Sequence, residues 1–282
     1  MKKRLAAALV LAAGLAACGG GSGDGDSGSA TPAAKSLTIS MYGKPVVTST
    51  TTAVAHSQFS LISAAVAADT SNPASDAQAS AKSLTDALAA RGVTADITNQ
   101  VVDGTALHQI VTTEYNGKSP TADQFKTDPS SWLIVNFQLD DMVTPTTDPA
   151  QQAALQQFTA DLLVFSQWAA VSGKAVFVVR PIPTCDSLYS ASSGLYNAET
   201  AALSNGAPIR FMGEVGASFS FDQNGNAVPD AGTDFSHFGA DCRTPDAYLQ
   251  NKQVDSMADT IALAYKEQAS SASAASAASA AQ

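Results

Sequence analysis

Apolar positions along this chain gather into two alternating kinds of run. Leu37 to Tyr42, Val93 to Ile97, Trp132 to Phe137, Ala175 to Val179 and Ile209 to Met212 are short, and several show no polar alternation. A strand covered on both faces needs that pattern, so these runs predict five buried parallel strands. Between them the spacing lengthens to a helical period. Asp76 to Arg91 stops at Gly92, and Asp148 to Ser172 opens on an Asp-Pro cap and stops at Gly173. A shorter helix is expected from about Tyr196 to Leu203. A final one is expected from about Ala247 to Gln268, with Val254, Met257, Ala258, Ile261 and Ala262 on one stripe for packing against the sheet. Strands and helices in alternation specify crossover units, hence a three-layer α/β/α sandwich around a central five-stranded parallel sheet. Phe219-Ser220-Phe221 through Val228 brackets Asn224-Gly225, which predicts a small β-hairpin excursion.

The two ends of the chain break this pattern. Lys2, Lys3 and Arg4 precede an apolar run from Leu5 to Ala17, too short to span a bilayer and shaped like a secretory signal. It ends in Leu15-Ala16-Ala17-Cys18, which looks like a bacterial lipobox, so residues 1–18 are expected to be a lipoprotein signal with Cys18 as the acylated residue. The absence of Asp after Cys18 resembles lipoproteins sorted to the outer membrane. Residues 19–36 are a Gly/Ser/Asp-rich tether with too little apolar surface to fold. Residues 37–268 form the expected folded domain, and the Ser/Ala repeat of 269–282 is expected to be disordered or a frayed helix extension. No second apolar segment reaches membrane-spanning length, so the expected membrane partner is reached by lipid alone.

Charge and cysteine usage narrow the classes further. A formal net charge of -10 gives no basic surface for phosphates, which excludes nucleic acid as an expected partner. With Cys18 acylated, Cys185 and Cys242 remain in a compartment where disulfides persist, and they are expected to pair with each other. Neither has a neighbouring Cys or His at ligand spacing, so a metal site is disfavoured. Asp222 to Thr233 carries oxygen side chains at alternating positions, but its glycine and final residue miss the calcium-loop pattern and a hairpin explains them more simply. His56, His108 and His237 are scattered, no Gly-x-Ser-x-Gly elbow lies in the folded region, and no cofactor fingerprint is present, so no metal and no cofactor are expected.

Candidate chemistry sits where strands end. Trp132-Leu133-Ile134-Val135-Asn136-Phe137-Gln138-Leu139-Asp140-Asp141 runs from a buried strand into adjacent carboxylates, Gly43-Lys44-Pro45 follows the first strand, and Asn99 is followed five residues later by Gly104. Asp241-Cys242-Arg243-Thr244-Pro245 stands directly before the last helix, with Asp234-Phe235-Ser236-His237 a little upstream. In order and placement these blocks resemble the signature blocks of SGNH (GDSL-type) ester hydrolases. The resemblance implies a serine at Pro45, an oxyanion-hole backbone donor at Gly104, an oxyanion-hole asparagine at Asp140, and an acid and base at Asp241 and Thr244. His237 is the alternative base.

The residues present depart from that pattern where the chemistry is done. Pro45 has no hydroxyl, and Thr48 and Ser49 are displaced from the turn. A carboxylate at Asp140 repels developing negative charge, reversing what an oxyanion hole supplies. The expectation is therefore a lipid-anchored envelope protein that has lost serine-esterase chemistry and binds a glycan or acylated envelope ligand. One alternative is an active ester hydrolase with a relocated nucleophile such as Ser49 and His237 as base. Another is a structural or assembly lipoprotein.

Overall fold

The computed structural model describes residues 36–48, 73–100, 105–115, 125–184, 190–216, 219–221, 223, 227–229, 237–239 and 241–280. In chain order the elements are β1 (Leu37–Gly43), α1 (Pro73–Ala90), β2 (Ala95–Asn99), α2 (Leu107–Tyr115), β3 (Trp132–Asn136), α3 (Pro149–Val171), β4 (Ala175–Val179), α4 (Ala191–Ser204), β5 (Ile209–Met212), β6 (Phe219–Phe221), β7 (Ala227–Pro229) and α5 (Ala247–Ala280). The first five strands form one parallel sheet in the order β2-β1-β3-β4-β5. The hairpin forms as expected, with β6 antiparallel to β7.

Alternation along each strand divides the core into two layers. Tyr42, Leu133, Val135, Val176 and Val178 point toward α2, α3 and α4, where Phe158, Leu162, Phe165 and Trp168 receive them. Ile39, Met41, Ile134, Phe177 and Met212 point toward α1 and α5, against Leu84, Leu88, Val254, Met257 and Ile261. Both faces are covered, which is why the central strands lack polar alternation. Burial of each such side chain is worth about 1.5 to 3 kcal/mol, and the aromatic cluster of Tyr42, Phe125, Phe165 and Trp168 adds edge-to-face contacts between 5.2 and 6.2 Å.

Local signals set the helix ends. Asp148 caps α3 by accepting from the N–H of Ala150 at 2.8 Å, with Pro149 at the first helical position. Gly173 closes the helix with φ +75°. The Ser/Ala segment continues α5 to Ala280, the helix extension that was expected as the alternative to disorder. Alanine is the best helix former, and Ser270, Ser271, Ser273 and Ser276 each donate to the carbonyl four residues back. Residues 1–35, which include the signal segment, Cys18 and all of the tether but Ser36, lie outside the described residues, and no helix among the described residues is long and apolar enough to cross a membrane.

Candidate functional site

In a parallel sheet every strand ends at the same edge, and ligands bind where the strand order reverses. Here the chain passes from β1 to its neighbour β2 and then to β3 on the other side, so the reversal lies between the ends of β1 and β3. Gly43 and Asn136 are register partners there. The N–H of Lys44 donates to Asn136 O at 2.8 Å, and Asn136 Nδ2 donates to Lys44 O at 2.8 Å. Gly43 adopts φ +96°, and a Cβ on it would lie 2.4 Å from Asn136 O. Gly43→Ala is therefore expected to destabilise the protein by about 2 to 4 kcal/mol, combining backbone strain with displacement of the partner strand. Gly92→Ala is the comparison in chemical denaturation. It has φ +76° with nothing within 4 Å of the added Cβ, so only strain of about 1 kcal/mol is expected there.

The loop leaving β1 is fixed by two buried polar side chains. Ser80 of α1 accepts from the N–H groups of Val46 and Val47 at 3.0 and 2.9 Å. Gln250 of α5 accepts from Thr48 N–H at 3.0 Å and donates to Thr48 Oγ1 and Pro245 O, each at 3.0 Å. One amide thus joins the segment of Pro45 and Thr48 to the block preceding α5. Pro45 is half-buried within this loop. Gly104, Ser49 and Asp234 lie outside the described residues.

The carboxylates of the third and last blocks behave differently from one another. Asp140 is exposed and has no hydrogen bond or ion pair among the described residues. Asp141 folds onto its own chain: Oδ1 accepts from Val143 N and Thr144 N at 2.7 and 2.9 Å, and Oδ2 accepts from Thr144 Oγ1 at 2.5 Å. Asp241 repeats the motif, with Arg243 N and Thr244 N at 3.1 Å on Oδ1 and Thr244 Oγ1 at 2.6 Å on Oδ2. The threonine hydroxyl holds each carboxyl below the usual carboxylate range, and Arg243 adds its charge to the effect on Asp141.

His237 is paired with a residue that the sequence reading did not connect to it. Its Nδ1 lies 2.8 Å from Asp246 Oδ2, and its ring stacks on Tyr248 with centroids 4.0 Å apart. Asp246 also caps α5 through Tyr248 N and Leu249 N at 2.9 and 3.2 Å. Slight burial pushes the Asp246 carboxyl up, but hydrogen bonds from His237 and these N–H groups outweigh it and hold the group below its ordinary value. A bridge between Phe238 and Pro245 closes the loop that presents both residues. The missed signal was the Asp immediately before the helix, a capping position whose spare oxygen faces back along the loop.

Cys242 is disulfide-bonded and adopts φ +60°. Cys185, its expected partner, lies outside the described residues. Among the described residues no group of three His, Cys, Asp or Glu is arranged to hold a metal ion. A groove of about 430 Å³ lies between α3 and α4.

The strand order, with helices on both faces and a pinned loop at the reversal point, defines a doubly wound α/β protein of flavodoxin-like topology. No family model and no curated protein matches the chain. Among solved structures, the chain is similar to the crystal structure of TesA, at 13% sequence identity and a TM-score of 0.44, over 78% of this chain and 95% of that one.

Proposed function

We propose that this chain is a lipid-anchored envelope protein of SGNH-like fold that has lost serine-esterase chemistry and binds a glycan or acylated envelope component where β1 and β3 end. The observation that carries the reading is the closed turn at Asp241. Its second oxygen is taken by the Thr244 hydroxyl at 2.6 Å, at the position where the resemblance calls for a histidine base. Pro45 offers no nucleophile in the turn after β1, and Asp140 opposes an oxyanion. In this reading Cys18 carries the lipid, residues 19–36 are the tether, and Cys242 pairs with Cys185 to join two loops at the rim.

One observation favours a second reading. The His237–Asp246 pair at 2.8 Å has the form of a base held in one orientation by a carboxylate, as an active hydrolase requires. Turnover of p-nitrophenyl butyrate separates the two. The purified chain is expected to release p-nitrophenol no faster than buffer. Turnover that disappears in His237→Ala overturns the loss-of-chemistry reading and assigns His237 as the base of a relocated site.

A further inference from the structure

The groove between α3 and α4 has a mostly apolar surface edged by uncharged polar groups. Thr146 borders it from the loop after β3, Gln156 and Thr159 from α3, and Ser193 and Asn197 from α4. Leu155, Ala198 and Ala201 supply the apolar part of the lining. No ionisable side chain contributes, in a chain that carries 25 acidic and 15 basic residues. The helices approach closely because position 194 is glycine: a Cβ there would lie 2.4 Å from Thr146 Cγ2 and 2.8 Å from Leu155 Cδ1. Thr159 Oγ1 ties the walls together, donating to Leu155 O at 2.9 Å and reaching Ala198 O at 3.3 Å. Gln156 and Asn197 are exposed, and their amides make no hydrogen bond among the described residues.

We propose that this groove is a binding site for a neutral, polyhydroxylated ligand, a short oligosaccharide held between the amides of Gln156 and Asn197. Each amide offers two donors and an acceptor, the complement of neighbouring hydroxyls that both donate and accept. A charged ligand finds no counter-charge in the lining. The C–H face of a sugar ring fits the alanines and Leu155 while its hydroxyls meet the amides. A volume of about 430 Å³ falls within the range of ligand sites. The inference goes beyond the site proposed at the ends of β1 and β3 and does not depend on it.

Calorimetric titration of the full chain tests it, with the neutral hexasaccharides of β-1,4-linked glucose and N-acetylglucosamine, an anionic oligogalacturonate and lysophosphatidylcholine as probes. At least one neutral hexasaccharide is expected to bind. Its affinity is expected to fall at least tenfold in a Gln156→Ala, Asn197→Ala double variant and to be lost in Ala201→Trp, with circular dichroism unchanged in both. The proposal is overturned if neither neutral hexasaccharide binds, or if affinity survives both groove variants. Affinity that survives them and is lost in Asp140→Asn assigns the ligand to the strand ends, which removes the groove and leaves the earlier reading in place.

Discussion

Arg180→Ala is expected to lower the unfolding free energy by about 3 to 5 kcal/mol at pH values where Glu199 is ionised, because it removes one member of a buried ion pair and strands the other. Arg180 follows β4 and is 6% exposed, while its partner Glu199 on α4 is 1% exposed. The guanidinium donates to Glu199 Oε2 at 3.2 Å, Tyr196 O at 3.0 Å and Thr200 Oγ1 at 3.1 Å. It lies 3.9 Å from the ring centroid of Tyr196 and 3.3 Å from that of Phe211. The backbone of Arg180 is fixed too, through Met212 O and Gln253 Nε2. No truncation preserves this arrangement, so the loss combines charge, hydrogen bonds and stacking.

The same pair gives the loss a pH signature. Burial pushes the Glu199 carboxyl up to about 8, against the opposing pull of Arg180. A folded value above the ordinary 4.5 means that the native state binds the proton more tightly. Stability drawn from this group is complete below the ordinary value and declines as pH rises through about 8. Without Arg180 the carboxyl rises further and the decline extends to higher pH. The gap between variant and wild type in urea unfolding is therefore expected to be smaller near pH 6 than near pH 9, and Arg180→Ala with Glu199→Gln should abolish the trend. A gap that does not change with pH would show that Glu199 is not the titrating partner.

Elements whose signals are local were legible in the sequence. β4 and β5 fall on the expected residues, and α3 begins and ends at its expected caps, because continuous apolar runs and Asp-Pro and Gly boundaries act over a few residues. β2 lies two residues later than the Val93 to Ile97 expected, since Val93 is used to close α1, donating to Leu88 O at 3.0 Å. α4 begins at Ala191, earlier than expected: Ser-Ser-Gly reads as loop, yet Ser190 caps the helix and Gly194 is demanded by its contact with Thr146 and Leu155. α2 was missed because its nine residues include Val111, Thr112 and Thr113, poor helix formers. Its signal was the apolar triplet Leu107, Ile110 and Val111, which packs into the core through tertiary contacts.

The site was legible to the extent that its parts are sequential. Asp141-Met142-Val143-Thr144 and Asp241-Cys242-Arg243-Thr244 share one spacing and fold into the same closed turn, so the fate of both carboxylates was written locally. The links that assemble the edge join distant residues. Gln250 to Thr48, Asn136 to Lys44 and His237 to Asp246 depend on which loops meet after the sheet forms. No spacing rule reaches across that distance.

The polar centre beneath the β1 and β2 strands is expected to be nearly as sensitive as Arg180. Asp128, in the segment entering β3, accepts from Ser40 Oγ at 2.8 Å, Tyr42 OH at 2.7 Å, Ser130 N at 2.9 Å and Ser130 Oγ at 2.6 Å. Lys174 Nζ stands 3.8 Å from the carboxylate and donates to the backbone carbonyls of Asp128 and Ser130. Asp128→Ala leaves those donors and a buried ammonium without their anion, which is expected to cost about 3 to 5 kcal/mol, whereas Tyr42→Phe removes one donor and should cost about 1 kcal/mol. Burial alone would push the Asp128 carboxyl up, but the hydrogen bonds from Ser130, Tyr42 and Ser40 outweigh it and hold the group below its ordinary value of 3.8. A depressed folded value contributes stability that is present above the unfolded value and is lost as pH falls through the folded one. The wild-type chain is therefore expected to lose unfolding free energy steeply as pH falls from 3.8 toward the folded value, with a flatter acid limb in Asp128→Ala. Equal acid slopes for the two proteins in guanidinium unfolding would mean that this carboxylate is not what ties β1 to the segment entering β3.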